Sequence, residues 1–313
     1  MVYEIRFGRQ RQYLMTKPLT VAVCADRRME IGVHVTLHSL VSHASNDLNI
    51  YLFHNGYDST RLSRIAETLS EFQRKYTLIP IALRDEMFSS LPALNGSRYV
   101  YARLVIPNYI AEPRFIYLDC DVVVSLDIGQ LFAEPLDGHI IGVSGMGTVA
   151  WQVDKSFFEK RGIAGGTPYF NSGVLVIDAD RWRQQCTTEH CLSIAAAYRG
   201  ELLSHDQTIL NFHFLGQAKI LQPQYNYLLF PNGAFVGSAP GPAIYHFLGR
   251  PKPWEFLGEF TVTNYTLFEA TLSLTSFAGY RSYTRFGPNE AKAVARLAKF
   301  YLQNAWRNRP KTR

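Results

Sequence analysis

The first 120 residues of the chain alternate between short apolar runs and longer segments whose apolar residues recur at helical spacing. The apolar runs predict four β-strands, at Leu19–Ala25, Asn49–Phe53, Tyr76–Ile81 and in the residues that lead into Asp119. The segments between them predict helices over Ile31–Leu40 and after a cap at Asp58 or Ser59. This β-α-β-α alternation predicts an α/β fold with a mostly parallel sheet.

The second half of the chain is less regular. A helical segment over Tyr99–Tyr109, interrupted near Pro107, precedes the strand into Asp119. The later predicted elements are a strand at Val174–Ile177, helices near Thr187–Tyr198 and over Asp206–Phe214, and an ordered loop at Gly241–Pro253.

Two aspartates, Asp119 and Asp121, follow directly on a buried strand. Side chains two positions apart on a strand point to the same face, and open α/β sheets bind ligands at the carboxyl ends of their strands. Two carboxylates hold Mg²⁺ or Mn²⁺ well when a substrate diphosphate supplies further oxygens. The triplet alone is a weak signal, because Asp178-Ala179-Asp180 repeats it where Asp180 can cap a helix.

Polar groups also cluster in two later segments. In Asn171-Ser172-Gly173 an amide precedes a glycine that permits close backbone approach, although asparagine in such a place is more often a turn residue. Asp206 either caps the predicted helix or contacts sugar hydroxyls, with Gln207 facing the reacting carbon.

A third segment, Tyr245–Trp254, combines three groups that suit a metal and phosphate. His246 can offer a neutral nitrogen to a divalent ion, although a structural histidine is equally compatible with the pattern. Gly249 lets phosphate approach the backbone, and Lys252 can neutralise it. Asp26, after the first strand, is either a solvated acid or a hydrogen-bond partner for a nucleobase edge.

Composition narrows the class of protein. The 313 residues are 47% hydrophobic and 19% charged, which is typical of a globular protein with a large core. The cysteines follow no zinc-site spacing, and we interpret Cys24 and Cys120 as buried thiols. The N-terminus does not resemble a signal peptide, and no apolar run reaches the ~20 residues of a membrane span. These features predict a cytoplasmic protein.

The C-terminal end differs in charge from the rest of the chain. Ala291–Arg313 contains seven basic residues and no acidic one, so the net charge of +6 leaves −1 for the remainder. A nearly neutral body argues against nucleic acid as a partner. Helical spacing from Val294 to Ala305 predicts a basic amphipathic helix. It either packs on the domain or lies on an anionic leaflet at the inner face of the plasma membrane.

Taken in order, the polar motifs resemble glycosyltransferase family 8. The resemblance covers about residues 19–256 and rests on Asp119-x-Asp121, Asn171-Ser-Gly, Asp206-Gln207-x-Ile-Leu-Asn211 and His246-Phe-x-Gly249-x-x-Lys252-Pro-Trp254. The family includes bacterial lipopolysaccharide galactosyl- and glucosyltransferases and glycogenin. The resemblance implies a GT-A fold, with a single Rossmann-like mixed sheet flanked by helices. We predict a catalytic domain at residues 1–257 and a C-terminal extension at residues 258–313.

The resemblance also implies a role for each matching residue. Asp119, Asp121 and His246 would ligate Mn²⁺ or Mg²⁺. The groups that would contact the UDP-sugar are Cys24, Asp26, Arg103, Asp119, Cys120, Asn171, Gly249 and Lys252. Asp206 and Gln207 would be the catalytic candidates beside the donor sugar.

The implied activity is transfer of a hexose from UDP to an oligosaccharide or lipid-linked glycan, with retention, in lipopolysaccharide or other surface polysaccharide synthesis. Because an amide is a weak nucleophile, we predict a front-face route in which the leaving phosphate deprotonates the acceptor. The alternatives are a glycogenin-like self-glucosylating initiator and a non-catalytic UDP-sugar-binding protein. A nucleotidyltransferase is disfavoured, because Cys24–Arg28 lacks a glycine-rich phosphate loop.

The chain departs from the family at two places. Met146 stands where relatives often carry an acid that holds sugar hydroxyls, so the sugar, and galactose in particular, is left open. Arg27 and Arg28 replace more acidic or amide-bearing residues. They either reach phosphate or an acidic acceptor, or form a solvated surface pair.

Overall fold

The computed structural model describes residues 17–72, 75–93, 97–230 and 241–284, together with the single positions 287, 291, 294 and 295. The strands are β1 (Leu19–Asp26), β2 (Leu48–Asn55), β3 (Tyr76–Ala82), β4 (Arg114–Leu118), β5 (Val122–Val124), β6 (Ile141–Val143), β7 (Met146–Thr148), β8 (Pro168–Phe170), β9 (Val174–Asp178), β10 (Lys219–Ile220), β11 (Tyr227–Leu229) and β12 (Ile244–Phe247). The helices are α1 (Glu30–His43), α2 (Ser59–Thr68), α3 (Ile128–Ala133), α4 (Lys155–Glu159), α5 (Ala179–Gln184), α6 (Thr187–Ala197), α7 (Asp206–His213), α8 (Gly258–Thr261) and α9 (Tyr265–Leu272).

A seven-stranded mixed sheet lies at the centre, in the order β10-β6-β9-β4-β1-β2-β3. Strand β9 runs antiparallel to both of its neighbours, β4 and β6, and the other neighbouring strands pair in parallel. This confirms the predicted mixed sheet with mostly parallel pairing. The carboxyl ends of β1 and β4 therefore lie side by side, which brings Asp26 and Asp119 to one edge.

Burial on both faces of the sheet explains why its central strands are continuous apolar runs. In β1, Val21 and Val23 pack with the buried face of α1, including Leu37. Alternate residues of the same strand, such as Ala22, pack on the opposite side with Tyr117. A strand without a polar face is thus fixed at the centre of the sheet.

A smaller sheet, in the order β11-β12-β5, carries the metal-compatible histidine. The helix α9 packs against it, and the ring of Phe268 lies 5.9 Å from Phe247 and 5.8 Å from Trp254 between centroids. The helix also contacts α1, which shares this apolar cluster through Ile31 and Val35. The domain boundary at residue 257 stays a prediction.

Several local predictions were wrong. The predicted loop Gly241–Pro253 contains β12, because the glycines and prolines flank its four residues rather than interrupt them. The segment Tyr99–Tyr109 forms two 3₁₀ turns, Tyr99–Leu104 and Ile106–Asn108, instead of one helix. Pro107 lacks the N–H of a continuing helix, which accounts for the break.

Side chains at the helix starts test three predicted caps. Asp58 caps α2 by accepting a hydrogen bond from the N–H of Arg61 at 3.0 Å. Asp178, not Asp180, caps α5, so Asp180 lies in the first turn. The residue before α7 is His205, and Asp206 makes no capping contact.

The predicted amphipathic helix near the C-terminus lies outside the described residues, apart from Ala291, Val294 and Ala295, and stays a prediction. Within the described ranges, no helix combines the length and apolar character needed to cross a membrane.

Candidate active site

Three hydrogen bonds hold Asp119 in place directly after β4. Its N–H donates to the carbonyl of Gly173 at 2.7 Å, which ties the end of β4 to the start of β9. Its Oδ1 accepts hydrogen bonds from the Tyr117 hydroxyl at 2.6 Å and from Arg103 Nη2 at 2.7 Å. The second oxygen, Oδ2, lies 3.9 Å from Nε2 of His246.

Asp121 contacts His246, which lies in β12, and Lys252, which follows that strand. Pairing of β12 with β5 places His246 opposite Val122, next to Asp121. Nε2 of His246 lies 3.1 Å from Oδ1 of Asp121, and Lys252 Nζ lies 2.5 Å from Oδ2. Burial raises the pKa of the Asp121 carboxyl, but the charge of Lys252 outweighs it and holds that pKa well below its usual value.

Asp119, Asp121 and His246 converge on one point, with a ligand atom of each within 4.8 Å of the other two. The buried Oδ1 of Asp121 receives no hydrogen bond within the described part of the chain, so an acceptor atom is left facing the histidine. Carboxylate oxygens with one imidazole nitrogen suit Mn²⁺ or Mg²⁺. The three residues therefore fit the predicted metal.

Asn226 orients the histidine, and sequence reasoning missed it. This buried amide places Oδ1 3.0 Å from Nδ1 of His246, so Nδ1 carries the proton and Nε2 presents its lone pair to the carboxylates. Its nitrogen donates to Oδ1 of Asn171 at 3.0 Å. An isolated asparagine offers no recognisable spacing, so only its contacts reveal it.

Gly173 has no space for a side chain. A Cβ there would lie 2.2 Å from Cε1 of His246 and 2.8 Å from Oδ2 of Asp119. Such contacts are shorter than atoms tolerate, and the histidine would have to move. The glycine of the Asn-Ser-Gly motif thus makes room for two of the candidate metal ligands, a role the sequence-based interpretation did not assign.

Arg103 is the buried cation between the two acidic groups. Its Nη2 pairs with Asp119, its Nε lies 2.8 Å from Oδ2 of Asp206, and its Nη1 donates to the carbonyl of Ser172 at 2.7 Å. Burial raises the pKa of the Asp206 carboxyl to about 6, although the charge of Arg103 opposes this. Arg103 thus holds two carboxylates, one directly after β4 and one at the start of α7.

Asn171 and Gln207 contact each other beside this pair. The Asn171 amide nitrogen and the N–H of Ser172 both donate to Oε1 of Gln207, each at 3.1 Å. Oδ1 of Asn171 accepts from the N–H of Gly173 at 2.9 Å. One hydrogen-bonded network therefore joins the Asn-Ser-Gly loop to the start of α7.

Asp26, the last residue of β1, is also paired. Its carboxylate accepts hydrogen bonds from Ser97 Oγ at 2.9 Å and from Arg28 Nη2 at 2.7 Å. Arg27 is directed elsewhere and donates to the carbonyl of Gly56 at 2.5 Å. The two arginines are therefore not one surface pair, since Arg28 lines the site and Arg27 fastens a turn.

A cavity of about 640 Å³ connects these groups. The predicted site residues that line it are Cys24, Asp26, Arg103, Asp119, Cys120, Asp121, Asp206, Gln207, Gly249 and Lys252. Asn171 contacts the lining residue Gln207, and His246 contacts the lining residue Asp121. The volume is that of an ordinary small-molecule site. Met146 lies in β7 opposite Phe170, outside the cavity wall.

The comparison with known families decides the class. The sequence model of the family described as "Glycosyl transferase family 8" matches residues 20–258, which is most of the chain. The chain belongs to glycosyltransferase family 8. Every residue placed above at the cavity or at the candidate metal site lies within the matched span.

Individual relatives are distant. The chain is 25% identical to the glycosyltransferase GlyA of Streptococcus pneumoniae, over 72% of this chain and 31% of GlyA. It is 25% identical to the lipopolysaccharide 1,3-galactosyltransferase of Salmonella typhimurium, over 79% of this chain and 76% of that protein. The chain spans 31% of the length of GlyA and 53% of that of GlyE, another pneumococcal glycosyltransferase.

A solved structure shows the same architecture. The galactosyltransferase LgtC, in complex with donor and acceptor sugar analogues, superposes with a TM-score of 0.67 at 21% identity, over 82% of this chain and 96% of LgtC. This confirms the GT-A fold.

Proposed function

We propose that this family 8 glycosyltransferase moves a hexose from a UDP-sugar to a glycan acceptor, with retention at the anomeric carbon and with Mn²⁺ or Mg²⁺ as cofactor. The proposed acceptor is an oligosaccharide or lipid-linked glycan of lipopolysaccharide or another surface polysaccharide. The name of the Salmonella relative supports this acceptor class.

The observation that carries the proposal is the convergence of Asp119, Asp121 and His246 beside the cavity of about 640 Å³. Lys252 Nζ lies 2.5 Å from Asp121, so its positive charge stands beside the candidate metal site. A metal ion and the lysine together would neutralise a diphosphate. Asp26, Cys24 and Cys120 also line the cavity, and they support binding of the nucleotide part of the donor there.

Each remaining residue has a proposed place around the donor. Gly249, with φ of +69°, would allow the phosphates to approach the backbone. Asn171, Asp206 and Gln207 would face the donor sugar. Arg103 would hold Asp119 and Asp206 in position for the donor.

In the proposed reaction, the bond between sugar C1 and the phosphate oxygen breaks and a bond from C1 to the acceptor oxygen forms on the same face. The acceptor's proton passes to the leaving phosphate. A bound Mn²⁺ or Mg²⁺ would supply Lewis-acid stabilisation of the diphosphate charge. Both lone pairs of the Gln207 oxygen already accept hydrogen bonds, which disfavours it as a nucleophile. A glycosyl adduct trapped on Gln207 or Asp206 would overturn this route.

We expect UDP release from one member of a UDP-hexose panel to depend on Mn²⁺ and to fall more than about 100-fold in Asp121→Ala. This substitution removes a buried ligand itself, so its effect should exceed the ~10–100-fold effect of losing an outer-shell contact. Asp180→Ala is the matched control, because Asp180 belongs to the second Asp-x-Asp triplet and lies on the surface.

Three other outcomes would contradict parts of this proposal. A ladder of increasing intact mass with UDP-glucose would indicate a self-glucosylating initiator. UDP binding without turnover of any donor, with glycan acceptors present, would indicate a non-catalytic sugar-nucleotide-binding protein. Turnover that persists in EDTA would exclude the metal requirement.

We also propose a cytoplasmic location with peripheral contact between the basic C-terminal segment and anionic lipid at the inner face of the plasma membrane. Each basic residue near such a surface contributes about 1 kcal/mol. The full chain should sediment with phosphatidylserine vesicles, and a chain ending at Glu290 should remain in the supernatant. Equal sedimentation of the two would refute the contact.

A further inference from the structure

Asp154 is a deeply buried carboxylate that the proposed reaction does not use. It directly precedes α4 and has no exposed surface. Its Oδ2 accepts a hydrogen bond from the Tyr169 hydroxyl at 3.0 Å, and its Oδ1 accepts one from the N–H of Ser204 at 3.0 Å. A buried carboxylate is costly unless donors satisfy it, so these two bonds define its place in the fold.

Two backbone N–H groups fix the direction of the hydrogen bonds around Gln207. The N–H of Ser172 can only donate, so the Gln207 atom that lies 3.1 Å away is the amide oxygen. The N–H of Gly173 likewise identifies the oxygen of Asn171, and the Asn171 nitrogen then donates to the same Gln207 oxygen. The Gln207 nitrogen is left facing the Tyr169 hydroxyl at 3.4 Å.

The Tyr169 hydroxyl therefore accepts from Gln207 and must donate its single proton elsewhere. Asp154 is the acceptor that receives it. Burial, together with the charge of Asp154, raises the pKa of the Tyr169 phenol, so the phenol keeps its proton. Gln207 therefore donates to Tyr169, and Tyr169 donates to the Asp154 carboxylate.

We propose that Asp154 is a positioning residue that fixes, through Tyr169, the rotation of the Gln207 carboxamide beside the donor sugar; this inference rests on the proposed transferase function. Its second oxygen holds Ser204, which lines the cavity together with Leu203. Gln207 consequently keeps its oxygen on Asn171 and Ser172 and one N–H on Tyr169, which leaves its second N–H for the reacting groups.

Asp154→Asn tests this assignment, because asparagine has nearly the same shape but offers one acceptor where the carboxylate offers two. In either orientation of the new amide, its NH₂ group faces a group that itself donates a hydrogen bond, the Tyr169 hydroxyl or the Ser204 N–H. With UDP-glucose and UDP-galactose as probes and Mn²⁺ present, we expect kcat to fall about 10-fold or more, with KM for the donor changed less than about threefold.

The Tyr169→Phe background separates positioning from a general structural effect. Once the hydroxyl is gone, the asparagine can turn its oxygen to Ser204 and no conflict remains. Asp154→Asn should then lower kcat by less than about threefold, so the two substitutions should be strongly non-additive. Additive effects, or an unchanged kcat in Asp154→Asn, would overturn the proposal.

A readout without turnover keeps this inference separate from the proposed function. The ¹⁵N–¹H signal of the Gln207 side-chain amide, assigned by its loss in Gln207→Glu, should shift in both Asp154→Asn and Tyr169→Phe. The chemical shift of this signal should not change in Asp180→Asn, because Asp180 lies on the surface and pairs with Arg183. If wild type releases no UDP, the proposed function fails, whereas an unmoved amide signal in Asp154→Asn refutes the positioning role alone.

Discussion

Gly173→Ala is expected to lower Mn²⁺ affinity and metal-stimulated UDP release by about 100-fold or more, although it adds a single methyl group. The new Cβ would lie 2.2 Å from Cε1 of His246 and 2.8 Å from Oδ2 of Asp119. His246 is held on its far side by Asn226, so relief requires moving the imidazole out of line with the carboxylates. Disturbing a ligand's support typically costs 10–100-fold, and here the ligand itself moves.

The measurement is Mn²⁺ binding by calorimetry, together with UDP release, in wild type and variant. The extra methyl should also lower the free energy of unfolding by about 1–3 kcal/mol, as overpacking does. Gly166→Ala is the matched control, because Gly166 is exposed and a Cβ there meets no atom within 4 Å. Unchanged Mn²⁺ binding in Gly173→Ala would mean that the metal does not bind between these residues.

Arg103→Met should lower the free energy of unfolding by about 3–5 kcal/mol at pH 8, because it leaves the buried carboxylate of Asp206 without its cation. Methionine keeps much of the apolar volume, so the loss reports mainly on charge. Arg61→Met is the surface control. Arg61 pairs with Glu30 and Asp58 near the surface, where such pairs contribute about 0–1 kcal/mol.

The deficit of Arg103→Met should shrink as the pH falls. Burial already raises the pKa of Asp206 to about 6 in the wild type, and loss of Arg103 removes a charge that lowers it. A carboxyl whose pKa is raised on folding destabilises the native state above that pKa, and the cost is relieved as the pH falls through it.

Denaturant titrations at pH 8 and pH 6 would measure this difference. The double variant Arg103→Met with Asp206→Asn has no ionisable group at position 206. The part of the pH dependence that comes from Asp206 should therefore disappear. A deficit equally large at both pH values in Arg103→Met would show that Asp206 is not the group left uncompensated.

Local patterns in the sequence determined five strands of the central sheet, the α/β class and the candidate ligands within each motif. The runs at β1, β2 and β4 are apolar because both faces of the sheet are buried, so these strands are recognisable as short apolar runs without the fold. Asp119 and Asp121 follow a strand, and their spacing of two residues is a local property. The family's motifs are local for the same reason.

Only the tertiary structure decided which groups meet and in which direction their hydrogen bonds run. Lys252 reaches Asp121 across 131 positions of sequence, and Asn226 reaches His246 from the 3₁₀ turn that precedes β11. Gly173 and Asp154 carry no signal of their own, because their importance lies in the atoms that surround them. Spacing along the chain fixes the period of an element, whereas contacts between elements depend on how the whole sheet brings its edges together.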